Sequence, residues 1–226
     1  MCIDEELQEL FNKQYQEYKF FKDNGDSYNH QKDFFKSLIC YKACINHYPN
    51  QITELILIGN TYYQGLKPRN MNMANHYFCL AERMFDEFDI CESLYEPYID
   101  FYYNYFWDNP TSKTNPKNQC RQKYKEAKVA LENNDIALAI NLFEEAKDLG
   151  DNRAYYMLGK IYESTDINKA FKYYYQGVLE DSGRCYRAIM KFYEKGIIVE
   201  KDEVIVKALK RICKLYYIFQ NKVNKC

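Results

Sequence analysis

The side chains of this sequence best suited to chemistry are basic, and they recur. Arg121 with Lys128, Arg153 with Lys160, and Arg184 with Lys191 stand seven residues apart within each pair, and the pairs return at intervals of 32 and 31 residues. Seven residues is close to two turns of an α-helix, so each pair shares one helix face. A row of fixed guanidinium and ammonium groups suits a carboxylate, an acidic peptide or a phosphate backbone, because charge-assisted hydrogen bonds outweigh neutral ones. The plainer reading is a solvated helix face that recurs because the helix does.

Other constellations point to packing. Cys40, Cys44 and His47 stand four and three residues apart, a spacing that could turn metal ligands to one side of a helix. Phe35, Leu38, Ile39 and Ala43 surround them in sequence, so buried thiols behaving as small hydrophobes are expected instead. His30 and His76 have no acid or nucleophile at a recognisable spacing. The aromatic runs at 102–107 and 173–175 read as inter-helix core ahead of a base-stacking platform. No glycine-rich phosphate loop, paired helical histidines or nucleophile elbow occurs, so no catalytic residue, metal or cofactor is expected.

The elements that must carry the ladder are helices. Ala127, Gly159 and Met190 mark the first helix of successive units, and Ala139 and Ala170 mark the second. Phe143 and Tyr174 follow those alanines by four residues, and Ala146 and Gly177 follow them by seven. These spacings gather small and aromatic residues on one face, where a neighbouring helix can approach closely. A period near 32 residues is the signature of stacked helical pairs. The 226 residues hold only 5 prolines and 8 glycines with 17% aromatics, which suits long helices, short turns and a sizeable core. Helices are expected over about 4–22, 31–47, 52–64, 73–88, 91–107, 119–133, 136–149, 153–163, 167–179, 183–195 and 203–221. The first is stopped by Asn24-Gly25-Asp26-Ser27, and the second ends at Tyr48-Pro49-Asn50.

The run Ile58-Gly59-Asn60-Thr61-Tyr62-Tyr63-Gln64-Gly65, followed by Met73-Ala74-Asn75-His76-Tyr77-Phe78-Cys79-Leu80-Ala81, resembles a Sel-one-like repeat. So does Ala154 to Tyr162 with Asn168 to Tyr174, while Tyr124 to Asp151 is more similar to a tetratricopeptide repeat. Three features depart from the pattern. The segment from Gly159 to Ala170 is short, Met190 replaces the expected glycine, and residues 92–107 lack the signature. The resemblance implies an all-α, right-handed solenoid of stacked antiparallel helix pairs. It also implies adaptor or scaffold work on protein or peptide ligands, without catalysis. It would place the basic ladder on the concave side, with Arg187, Tyr124 and Tyr156 beside it.

Three segments are expected: acidic repeats over 1–107, a linker or long loop over 108–118, and basic repeats over 119–226. The near-neutral total of 31 basic and 32 acidic residues hides an acidic first half. Residues 1–116 carry 10 basic and 17 acidic side chains, and 117–226 carry 21 and 15. Nine cysteines without a disulfide framework, after an acidic opening stretch unlike a signal peptide, point to the cytoplasm. No run approaches the roughly 18 apolar residues of a membrane span. The expected function is a protein-interaction scaffold holding an acidic or carboxylate-bearing segment against Arg121, Lys128, Arg153, Lys160, Arg184, Arg187 and Lys191, with Tyr124 and Tyr156 as apolar platforms. One alternative is a nucleic-acid binder that uses the same ladder on phosphates. Another is a homo-oligomer joined through its oppositely charged halves.

Overall fold

The computed structural model describes residues 2–45, 52–66, 70–86 and 116–223. All regular structure among them is helical, in two compact units. Unit one comprises residues 1–100 with 203–215, and unit two comprises 101–202 with 216–226.

Unit one opens with two helical hairpins. Helix α1 (Cys2–His30) packs on α2 (Phe34–Cys44), and α3 (Ile52–Asn60), extended by a π-helical turn at Thr61–Gly65, packs on α4 (Met71–Asp86). Helix α1 does not stop at Asn24-Gly25-Asp26-Ser27, as its turn-forming residues suggest, because bonds within the helix and one tertiary bond from Tyr41 take up the Asn24 and Asp26 side chains. Asn24 Nδ2 donates back to the Phe20 carbonyl at 2.7 Å, and Asp26 accepts from Lys22 Nζ and the Tyr41 hydroxyl, each at 2.7 Å. Gly25 keeps the helix close to α2: a Cβ there would sit 2.7 Å from Tyr41 Cε1. The chain turns only at Lys32, whose φ of 63° is left-handed. Asp33 then caps α2 by accepting from the Lys36 amide, so α2 begins at Phe34 and not at Gln31.

The core of unit one holds Phe21, Leu38, Ile39, Tyr41, Leu55, Ile58 and Tyr62, all essentially inaccessible. Buried Lys42 donates to the Tyr62 hydroxyl at 2.8 Å and lies over the Tyr62 and Tyr77 rings, so its charge is met by a hydrogen bond and two π faces. The Tyr18 hydroxyl donates to Glu54 Oε1 at 2.6 Å, which ties α1 to α3. Cys40 and Cys44 are buried, and the Cys44 Sγ–H donates to the Cys40 carbonyl. Burial pushes the Cys44 thiol well above its ordinary range, so it is a core hydrophobe. His47, the Tyr48-Pro49-Asn50 turn and the helix expected over 91–107 lie outside the described residues, as does most of 108–118.

Unit two contains α5 (Pro116–Glu132), α6 (Ile136–Asp148), α7 (Arg153–Tyr162), α8 (Ile167–Leu179) and α9 (Gly183–Lys195). Helix α5 starts three residues before the expected Gln119. Proline fits the first helical turn, where a missing N–H costs nothing. The pairs α5–α6 and α7–α8 are antiparallel hairpins, since residues late in the first helix meet residues early in the second. Tyr162, for example, stacks on Tyr173 and accepts from Lys169 Nζ.

Repeated caps punctuate the unit. After α5, α6 and α8 the chain turns through Asn134, Gly150 and Asp181, with φ of 62°, 93° and 52°. At each turn the next amide reaches back five residues: Asp135 to Ala130, Asp151 to Ala146 and Ser182 to Gly177. These are Schellman closures, which satisfy the last helical carbonyls. Asp135 and Asp166, 31 residues apart, cap α6 and α8 by accepting from the third following amide. The same closure with an aspartate cap at Lys32 and Asp33 links the α1–α2 hairpin to this pattern. Helix α10 (Glu203–Val223) ends the described chain, and its residues through Leu215 cluster with unit one. There Ile205, Ala208 and Leu209 are buried, and Lys207 Nζ lies 4.1 Å from the Phe20 ring centroid.

Candidate functional site: a basic helical surface

The first helices of unit two carry the ladder because their opposite faces are committed to the core. On α5, Cys120, Tyr124, Ala127 and Ala130 are buried; on α7, Ala154, Leu158 and Gly159; on α9, Cys185, Tyr186, Ile189 and Phe192. Lys128, Arg153, Lys160, Arg184, Arg187 and Lys191 are exposed, while Arg121 is half-buried.

The structure brings some of these residues together and leaves others apart. The Arg153 guanidinium carbon stands 4.3 Å from the Tyr124 ring centroid, and that of Arg184 stands 5.7 Å from the Tyr156 centroid. Each arginine at the start of one first helix therefore lies over the tyrosine of the first helix before it. Tyr124 is buried and already covered by Arg153, so it serves as a support for the cation and not as an open platform. Burial pushes its phenol pKa up, opposed by the positive charges of Arg184 and Arg153. No hydrogen bond, ion pair or ring contact among the described residues joins Lys128, Lys160, Arg187 or Lys191 to the rest.

One participant escapes a reading of spacing alone. Asp151 is buried, and its carboxylate takes Arg153 Nε at 2.9 Å and Nη2 at 2.6 Å. These hydrogen bonds raise the arginine pKa further. The backbone amide of Arg153 also donates to Asp151 Oδ1, so the carboxylate fixes the start of α7. Arg153 is thus internally neutralised. The residue 31 positions later is Ser182, also buried, and among the described residues no carboxylate pairs with Arg184. The signal lay in comparing the residue two before each arginine across the repeats.

The small positions explain how these helices pack. A Cβ on Gly159 would meet Tyr174 Cε1 at 2.4 Å, and a Cβ on Gly59 in unit one would meet Phe78 Cε1 at 2.5 Å. In both units a glycine of the first helix receives an aromatic ring of the second. The fold is that of a helical-repeat protein. Its hairpins follow the pattern implied by the resemblance to Sel-one-like and tetratricopeptide repeats. Met190, at the corresponding place in α9, is half-buried.

Searches of family models and of curated proteins find no match to the sequence. Among solved structures, the chain is similar to a crystal structure of MamA, with 21% identity over 89% of this chain and 97% of that one and a TM-score of 0.35. A second MamA crystal structure gives 21% identity over 93% and 95%, with a TM-score of 0.34. The crystal structure of a Sel1 repeat protein from Oxalobacter formigenes gives 18% identity over 91% and 83%, with a TM-score of 0.38. Among the described residues, no helix is long and apolar enough to cross a membrane.

Proposed function

We propose that this protein is a non-catalytic, cytoplasmic interaction scaffold. It holds an acidic or carboxylate-bearing peptide segment against the first helices of unit two. The observation that carries this reading is the recurrence of exposed cations without counter-ions. Lys128, Lys160, Arg184, Arg187 and Lys191 sit on α5, α7 and α9, and no carboxylate of the described residues lies within ion-pair distance of them. A solvated face of ordinary composition would intersperse both signs, as α6 does where Lys147 pairs with Glu144 and Asp148. Arg121 and Arg153 contribute to the field, while Tyr124 and Tyr156 steady the neighbouring guanidiniums.

The reading is tested by charge reversal at positions that support no core contact. Lys160→Glu with Arg187→Glu is expected to weaken binding of a fluorescein-labelled (Glu-Ser)4 peptide by at least about tenfold, as charge-assisted contacts become repulsions. Lys125→Glu with Lys172→Glu, also at exposed positions, should change it by less than about threefold. Equal losses in the two pairs would reduce the ladder to general charge. Arg153 is unsuited to reversal, since Arg153→Glu would set a second carboxylate beside buried Asp151.

A further inference from the structure

The three rungs of the ladder are unequal, and their inequality gives the proposed ligand a position. Arg121 is half-buried at the start of α5, and Arg153 on α7 is held by Asp151. On α9 the pattern changes at two places together. Ser182 stands where Asp151 stood, so no carboxylate sits two residues before Arg184, and Arg187 stands 31 residues after Tyr156, replacing an aromatic support with a third cation. Arg184, Arg187 and Lys191 follow one another at three and four residues, so they share one face of α9. The opposite face is anchored by Cys185, Tyr186, Ile189 and Phe192, which fixes the orientation of that basic face. Arg184 is further steadied over the Tyr156 ring, so less side-chain freedom remains to be lost when a carboxylate arrives.

Resting on the scaffold reading above, we infer that the acidic partner is anchored on α9, by Arg184, Arg187 and Lys191, and is only guided by the α5 and α7 rungs. The seven residues from Arg184 to Lys191 rise about 10 Å along the helix. An extended peptide covers the same distance in about three residues. The ligand class is therefore an extended segment with two carboxylates three residues apart.

The experiment compares two acetylated, fluorescein-labelled peptides of equal composition by anisotropy. In one the acidic residues are placed as Glu-Ser-Ser-Glu, and in the other they are adjacent. The variants are the α9 triple Arg184→Gln/Arg187→Gln/Lys191→Gln and the control Lys128→Gln/Lys160→Gln, each checked for native circular dichroism and melting temperature. The α9 triple should weaken binding of the spaced peptide by about tenfold or more, and the Lys128/Lys160 pair should weaken it by a smaller factor per charge removed. Wild type should prefer the spaced peptide. Equal losses per charge in triple and control would overturn the α9 anchor while leaving the scaffold reading intact. Failure of wild type to bind either peptide would overturn both. Should the triple fail to fold, Arg184→Lys/Arg187→Lys decides the matter. It keeps the charge but loses the guanidinium fork, and an unchanged Kd together with an unchanged spacing preference would overturn the anchor.

Discussion

At the scale of single residues, Gly159 and Asp151 show what spacing reveals and what it conceals. Gly159 was legible, because a small residue repeating near 32 positions announces a close helix approach, and the Tyr174 ring fills the space a Cβ would need. Tyr174 is fully buried with its hydroxyl donating to Glu163, so it cannot swing aside. Gly159→Ala is expected to destabilise the protein by about 1–2 kcal/mol in urea unfolding, the overpacking cost exceeding the helix-propensity gain of alanine. Asp151 was hidden, since a carboxylate in a turn looks like any cap until the fold buries it against Arg153. Burial also sets the titration of unit two, pushing the Cys185 thiol and the Tyr155 phenol each up to about 12. Both folded values exceed the ordinary ones near 9 and 10. Their contribution to stability is full below those ordinary values and is lost as pH rises through about 12. The melting temperature should fall progressively above about pH 9, and Cys185→Ala should flatten part of that fall.

At the scale of elements, the boundaries of α8 and α9 agree with the sequence reading to the residue, because each is framed by turn residues with local chemistry. The expected Ile167–Leu179 and Gly183–Lys195 are the helices found. Asp166 caps α8, and Gly196 closes α9 in the left-handed region. Asp135→Ala and Asp166→Ala should each cost about 1 kcal/mol, close to additively because the caps belong to different hairpins. The reading failed at α1, where Asn24-Gly25-Asp26-Ser27 carries every local sign of a stop. There the closeness of Tyr41 explains the glycine, and the Asp26 carboxylate is taken by Tyr41 and Lys22, so tertiary contact overrides local propensity. The same packing governs cysteine reactivity. Cys79 is exposed whereas Cys40, Cys44, Cys120 and Cys185 are buried. Mass spectrometry after brief iodoacetamide treatment should find Cys79 alkylated in the native protein and those four only after unfolding.

At the scale of the whole molecule, the all-α class and the stacked hairpins were legible because periodicity, turn residues and the scarcity of proline and glycine agree. The assignment of α10 to a core was not, since its apolar face carries no mark of its partner. Residues 203–215 bury Ile205, Ala208 and Leu209 in unit one, whose other residues lie a hundred positions earlier. A chain ended at Asp202 should therefore expose Cys40 and Cys44 to alkylation, although neither is near the cut in sequence. The central claim is that unit two offers a surface for an acidic chain. Its most direct measurement is a pair of titrations of the wild-type protein over a range of salt, one with the spaced acidic peptide and one with a single-stranded oligonucleotide of equal charge. Saturable peptide binding that outcompetes the oligonucleotide at physiological salt is the expected result. Tighter oligonucleotide binding with a steep log-linear salt dependence, or no peptide binding at any salt, would contradict it.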